Sequence, residues 1–185
     1  MDDFSTAFEA FLAQRRDDLK TKYGRVLPTG ELLFNRFDKA RYLHMGKGSS
    51  IYDTSAVMGE IEVGDDVWIG PYTLIEGIHG KVKIGNFVSI NTGVMIYTHD
   101  STKHYLSGGV DPFEKGDVSI GSNTVVGSMT MICHGVTIGK HCLIGANSLV
   151  SQNVEDYTIA AGTPAKPIGR VALKPDGSVE LLYHK

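Results

Sequence analysis

Aliphatic residues recur every six positions through the middle of this chain. Ile51, Val57, Val63, Ile69 and Ile75 keep the spacing, and Ile84, Ile90 and Ile96 resume it after a slip of three residues. Ile120, Val126, Ile132, Ile138, Ile144 and Val150 then carry it on. A helix repeats every 3.6 residues, so a period of six is no helical stripe. Six is an even number, and it keeps every aliphatic side chain on the same side of a pleated strand. Fourteen positions in three registers amount to an internal repeat, which marks a solenoid. Each hexapeptide is expected to form one short flat strand and one corner, with its aliphatic residue inward. Three hexapeptides then close one coil of a prism, and stacked coils make a parallel sheet on each face. Glycine follows the aliphatic residue at Gly64, Gly70, Gly85, Gly121, Gly127, Gly139 and Gly145. Its conformational freedom suits a tight corner. A valine or a small residue stands four places after the aliphatic one, as at Val67, Thr73, Val88, Val94, Thr124, Val136 and Ser148.

Two interruptions break the period. The slip between Ile75 and Ile84 contains Gly77, Ile78, His79 and Gly80, and is expected to bulge a corner. The gap between Ile96 and Ile120 is rich in glycine, aromatic and charged residues, so residues 97–117 should leave the prism as an extruded loop. Long loops on rigid scaffolds tend to carry function. The flanks follow other rules. Phe4, Phe8, Phe11, Leu12 and Leu19 lie at helical spacing, which predicts an amphipathic helix packed on the coil or on a neighbouring subunit. Residues 24–50 read as an irregular linker. The organisation expected is therefore an N-terminal segment over 1–50, an all-β coil domain over 51–170 and a C-terminal tail over 171–185. A small hairpin around Lys174-Pro175-Asp176-Gly177 is expected in the tail.

Composition excludes several classes. The chain has 185 residues, 42% hydrophobic and 21% charged, which suits one globular domain. A net charge of −3 is not the basic excess of a nucleic-acid binder. No run of apolar residues is long enough for membrane insertion. The acidic start Met1-Asp2-Asp3-Phe4 and only two cysteines, Cys133 and Cys142, predict a cytoplasmic protein with free thiols.

The repeat over residues 51–155 resembles the hexapeptide-repeat acyltransferases, whose members fold as a left-handed parallel β-helix. The handedness is implied by that resemblance and not by the spacing. The segment Val94-Met95-Ile96-Tyr97-Thr98-His99-Asp100 looks like the catalytic segment of the maltose and xenobiotic acetyltransferase branches. There a histidine just before the extruded loop is the general base, which makes His99 the candidate here. The segment Ile159-Ala160-Ala161-Gly162-Thr163-Pro164-Ala165-Lys166 resembles the one that closes the coil in acetyl-CoA-dependent members. The resemblance implies that Thr163 and Lys166 lie along the coenzyme. It also implies that Gly127, Ser128, Gly145 and Ala146 let the pantetheine arm approach the backbone, with a backbone N–H near Ser128 facing the oxyanion. The implied reaction is direct acetyl transfer from acetyl-CoA to a hydroxyl or amine, with no acyl-enzyme and no metal. The family's sites lie between subunits, so a homotrimer is implied. Residues Asp65 to Gly109 look most like bacterial acyltransferases of envelope sugars, so a sugar or nucleotide-sugar acceptor is expected.

Coil arithmetic adds detail. With the slip of three, Ile96 should stack on Ile75, which puts Glu76 beneath Tyr97 and His79 near His99. Glu76 is then a candidate to orient His99. Asn91, Tyr97 and Asp100 are candidate acceptor contacts. Two other readings stay open. His99, His134 and His141 would be the metal ligands of an enzyme like the γ-type carbonic anhydrases, which share the fold. A trimeric scaffold without activity is the other.

Overall fold

In the computed structural model, which describes residues 3–184, the six-residue spacing closes into a three-sided parallel coil. The first face stacks Ser50–Ile51, Trp68–Ile69, Ser89–Ile90, Val125–Val126, Leu143–Ile144 and Thr158–Gly162, all parallel. The second stacks the starts of Ala56–Val63 and Leu74–Ile84 with Met95–Ile96, Met131–Ile132 and Leu149–Val150. The third stacks the ends of the same two long strands with Val118–Ile120 and Thr137–Ile138. One polar ladder up a corner records the register. The Lys47 N–H donates to Asp65 across 18 residues, the Asp65 N–H to Asn86 across 21, and the Asn86 N–H to Ser122 Oγ across 36. These intervals are one plain coil, one coil with the three-residue slip, and one coil with the slip-free strand path plus the loop excursion.

The aliphatic residues of the repeat form the core. From Ile69 to Val150 none of them is more than 2% exposed. Burying each such side chain contributes about 1.5–3 kcal/mol. The residues four places on are buried too, among them Val67, Thr73, Thr124 and Ser148. Two of the hydroxyls bond the backbone of the neighbouring turn: Thr124 Oγ1 donates to the Gly139 carbonyl and Thr130 Oγ1 to that of Gly145, whereas Thr73 Oγ1 is buried without a partner. Such bonds satisfy polar groups that burial would otherwise penalise.

The glycines do a different job from the one expected of them. Gly64, Gly121, Gly127 and Gly145 do not adopt positive φ. The left-handed residues lie two positions further on and are mostly not glycine: Asp66, Tyr72, Phe87, Asn123, Met129, His141 and Asn147 have φ between 54° and 60°. The glycines are required by the stacking distance instead. A Cβ on Gly121 would lie 2.5 Å from the Lys140 nitrogen and 2.6 Å from the Gly139 carbonyl carbon in the next coil. Gly121→Ala is therefore expected to force two coils apart and to destabilise the protein by about 1–3 kcal/mol. Denaturant unfolding of the variant measures this, and an unchanged midpoint contradicts it.

The N-terminal helix α1 spans Asp3–Tyr23. Only Leu12 of it is buried, and Phe4, Phe8 and Phe11 remain exposed, so the expected apolar face finds no cover within this chain. The segment read as an irregular linker contains two short helices, α2 (Thr29–Leu33) and α3 (Arg36–Tyr42). Their signals were local: Asn35 caps α3 by accepting from the Phe37 N–H. Beyond the coil, Ala165–Leu173 and Val179–Tyr183 extend the first face as an antiparallel hairpin around Lys174–Gly177. No helix among the described residues is long and apolar enough to cross a membrane.

Candidate active site

The loop leaves the coil after Ile96 and is held tightly. His99–Asp100 pairs antiparallel with Glu114–Lys115, and a short helix α4 (Thr102–Leu106) fills the turn. Asp100 Oδ1 accepts from the Thr102 N–H at 2.7 Å, and Lys103 meets Glu114 at 2.6 Å. The His104 ring bonds the Asp111 carbonyl at 2.8 Å. These contacts close the excursion on itself, and they fix His99 at its base.

Ile75 pairs with Ile96, as the coil arithmetic requires. Glu76 lies next to that pair, and its side chain is only 4% exposed. Its Oε2 accepts from the Thr98 N–H at 3.0 Å, from the Thr98 hydroxyl at 2.9 Å and from His99 Nδ1 at 3.0 Å. Its Oε1 accepts from the Ile78 N–H at 2.6 Å. Burial pushes the Glu76 carboxyl upward, but the hydrogen bonds from Thr98, His99 and Ile78 outweigh it and bring the pKa down to about 2. Glu76 is therefore a carboxylate at neutral pH and can only accept. In the neutral imidazole this places the hydrogen of His99 on Nδ1 and the lone pair on Nε2.

This depression links the site to stability. The folded-state value lies below the ordinary 4.5, so Glu76 stabilises the fold in full above about pH 4.5, and this is lost as the pH falls toward 2. The shift corresponds to an order of 3 kcal/mol. Urea unfolding from pH 7 down to pH 2 should show a loss of that order, and Glu76→Gln should flatten the profile. An equal pH dependence in both proteins contradicts the assignment.

The slip of three supplies a second imidazole. The long strand Leu74–Ile84 carries His79 round the corner, where its backbone N–H donates to Thr98 Oγ1 at 3.3 Å. Its ring meets that of His99 edge-on at 4.4 Å. Phe113, from the far side of the loop, stacks on His99 with centroids 5.6 Å apart and planes at 14°. The same ring meets His79 and His104 edge-on. Neither Phe113 nor His104 stands out in the sequence. Only the antiparallel pairing of residues 99 and 115 brings Phe113 back over His99. Thr98 was within reach of the coil arithmetic, since it stacks against Glu76 as directly as His99 does.

The other candidates divide. Tyr97 lies 6.5 Å from the His99 ring, on the same corner. Asp100 is adjacent, with its carboxylate held below the usual range mainly by the Thr102 hydroxyl and N–H. Asn91 is on a different corner, the one after the first face, where it accepts from the Ser89 hydroxyl. Gly127, Ser128, Gly145 and Ala146 share that corner. A Cβ on Gly127 would meet the Ala146 nitrogen at 2.5 Å, and one on Gly145 would meet Ala161 Cβ at 2.7 Å. Thr163 joins the column by donating to the Asn147 carbonyl. Lys166 does not stack in it. It pairs with Ala161 across the terminal hairpin and lines a cavity of about 340 Å³ with Arg170 and His184, beyond the last coil.

The three histidines of the metal-enzyme reading do not converge in this chain. His141 stacks on Tyr157 on a third corner, at 5.0 Å. Cys133 is partly buried, and burial and Asp100 push its thiol upward, so it is a poor nucleophile. Burial does the same to Cys142.

Comparison with known proteins agrees with this architecture. Residues 117–152 match the family model described as bacterial transferase hexapeptide, six repeats. The chain is similar over 88% of its length to a hexapeptide-repeat-containing acetyltransferase from Vibrio cholerae, covering 91% of that chain at 27% identity and a TM-score of 0.65. Residues 117–152 thus carry the repeat of that transferase family. Relatives of the chain include a dTDP-4-amino-4,6-dideoxy-D-glucose acyltransferase of Escherichia coli, 33% identical over 127 residues, or 65% of this chain and 66% of that protein. A chloramphenicol acetyltransferase of Escherichia coli is 48% identical over 60 residues, or 32% of this chain and 29% of that protein. The chain thus spans less than two thirds of the curated relatives' length. The N-acyltransferase AntD of Bacillus cereus, in complex with dTDP and coenzyme A, shares the fold at a TM-score of 0.61 and 19% identity, over 74% of this chain and 89% of that one.

Proposed function

We propose that this hexapeptide-repeat protein moves an acetyl group from acetyl-CoA to a hydroxyl or amine of a sugar or nucleotide sugar. The observation that carries the reading is the Glu76–His99 pair. A buried carboxylate fixes the imidazole so that the free Nε2 lone pair is available beside the loop. His99 takes the proton from the acceptor as its oxygen or nitrogen attacks the thioester carbon. The tetrahedral intermediate then expels the coenzyme thiolate, which is protonated on leaving. Transfer is direct, since Cys133 is poorly suited to carry an acyl group. A backbone N–H near Ser128 is assigned to the oxyanion. The sugar-nucleotide acceptor draws on the Escherichia coli relative, whose name specifies a dTDP-aminosugar. Tyr97 and Asp100 border His99 and are assigned to the acceptor. Asn91, on the other corner, is reassigned to the coenzyme side.

The column of Gly127, Ser128, Gly145, Ala146 and Thr163 and the His99 corner lie on different edges of one prism. A site that uses both must be built between copies, which supports a homotrimer in which each interface joins one copy's column to the next copy's His99. Mixing tests this. Chains with His99→Ala are co-refolded with chains whose column is blocked at an exposed position by Ala146→Trp. Random assembly at equal amounts should recover about a quarter of wild-type activity from two inactive parents. No recovery, with trimers formed, places the site within one chain.

Calorimetric titration with acetyl-CoA tests the coenzyme assignment. Binding near one site per chain is expected, abolished by Ala146→Trp and weakened by Lys166→Ala. Absence of binding both alone and with a sugar nucleotide present overturns the reading.

A further inference from the structure

We infer that Glu76, His79 and His99 form a binding site for a borderline divalent cation of the Zn²⁺ type, and that its occupancy silences the base. The three side chains each offer a ligand atom, and these atoms all lie within 4.8 Å of one another. Two imidazoles and one carboxylate are a donor set suited to zinc, and they disfavour Mg²⁺ and Ca²⁺, which take oxygen ligands. Tetrahedral zinc with bonds of about 2.0–2.2 Å holds its donors roughly 3.4 Å apart. The Glu76–His99 pair is already closer than that, at 3.0 Å. The His79 ring must therefore supply most of the closure. Among the described residues no hydrogen bond holds that ring, and it packs only edge-on against His99 and Phe113.

Charge favours the same site. Glu76 is buried and ionised, yet its one ion-pair partner among the described residues is His99. Among the described residues no lysine or arginine pairs with it. A dication supplies the missing positive charge, and a buried carboxylate holds such an ion firmly. The metal takes the place of the hydrogen between His99 Nδ1 and Glu76 Oε2, while Oε1 keeps its bond from the Ile78 N–H and holds the carboxylate in position. The three-residue slip in Leu74–Ile84 is what brings His79 to this corner. A metal bonded to His99 Nδ1 displaces the hydrogen from that nitrogen, the neutral ring then carries its hydrogen on Nε2, and the lone pair that would accept the acceptor's proton is lost. Binding therefore opposes transfer. The inhibitory half of the inference rests on the proposed acyltransferase reading, whereas the binding half does not.

The metal-stripped protein is titrated with Zn²⁺ against a chromophoric chelator, with no coenzyme or acceptor present. One ion per chain is expected, with affinity falling about a hundredfold in His79→Asn and in Glu76→Gln. The double variant His134→Asn/His141→Asn should bind as wild type does. Circular dichroism checks that each variant is folded, and His79→Asn, a part-exposed side chain, keeps the test valid if Glu76→Gln unfolds. Absence of stoichiometric binding, or binding indifferent to His79→Asn, overturns the site. In the second arm, Zn²⁺ should inhibit transfer over the same concentration range, reversed by chelation, and the inhibitory concentration should rise in parallel in His79→Asn relative to that variant's own rate. Zinc binding without inhibition overturns the silencing role. Zinc binding in a protein that transfers no acetyl group leaves the metal site standing and removes the acyltransferase reading.

Discussion

His99→Ala is expected to lower kcat/KM for acetyl transfer by about two to four orders of magnitude, the usual contribution of a positioned general base. Acetyl-CoA binding should be unchanged, because the column assigned to the coenzyme stands on another corner of the prism. The loss should sit in kcat. The fold should be intact, since the His99 side chain is 24% exposed and outside the aliphatic core. Steady-state kinetics with acetyl-CoA and a sugar-nucleotide acceptor, run beside calorimetry, checks each part. If His99→Ala keeps more than about a tenth of the activity, the base is another group and the direct-transfer mechanism falls.

Glu76→Gln is expected to cost about as much in kcat, and for a reason specific to the tautomer. The carboxylate can only accept, so it holds the hydrogen on His99 Nδ1 and frees Nε2. A carboxamide can turn an N–H toward Nδ1, which moves the imidazole hydrogen to Nε2 and removes the base. In a catalytic triad the comparable acid-to-amide change costs about four orders of magnitude. Two to four are expected here, since the Thr98 hydroxyl and backbone N–H are still available to the amide oxygen. Glu76 acts through His99, so KM for acetyl-CoA should hold while kcat falls, and Glu76→Asp should restore part of the rate. A purely structural role would lower stability without that split. Equal loss in the Asp and Gln variants would point to it.

Much of the fold was legible because the hexapeptide repeat is a local rule repeated many times. Ile75 and Ile96 could be paired by counting, and that single register put Glu76 and His79 beside His99 before any contact was known. The reason is that a coil advances by a fixed number of residues, so sequence separation converts directly into stacking. The glycines illustrate the limit of the same reasoning. Their positions were plain, but their purpose was misread. Gly121 and Gly127 are set by the closeness of the neighbouring coil, which is a distance between segments and leaves no local mark. The left-handed corners fall on residues such as Asn123 and His141, which a pattern keyed to glycine passes over.

The helices α2 and α3 were missed because each is too short to show a period, and their order comes from contacts such as Lys39 Nζ donating to the carbonyls of Asp53 and Ser55 at the first coil. Phe113 was missed because nothing in a loop sequence says which residue folds back. Its place depends on the pairing of His99 with Lys115 across sixteen residues of chain. The split between the His99 corner and the Gly127–Gly145 column was equally hidden, although both had been singled out. Sequence named the residues on each edge, but only the closed prism shows that the edges diverge.

By itself the sequence determined the three-sided coil, its core and the stacking of Glu76 under the His99 turn, since all of these follow from a period that every hexapeptide repeats. The tertiary structure alone decided the ionised state of Glu76, the hydrogen bond it makes to His99, the ring of Phe113 over the site and the separation of the His99 corner from the Gly127–Gly145 column. Each of these depends on burial, hydrogen-bond geometry or the angle between faces, and such quantities exist only once distant segments have met.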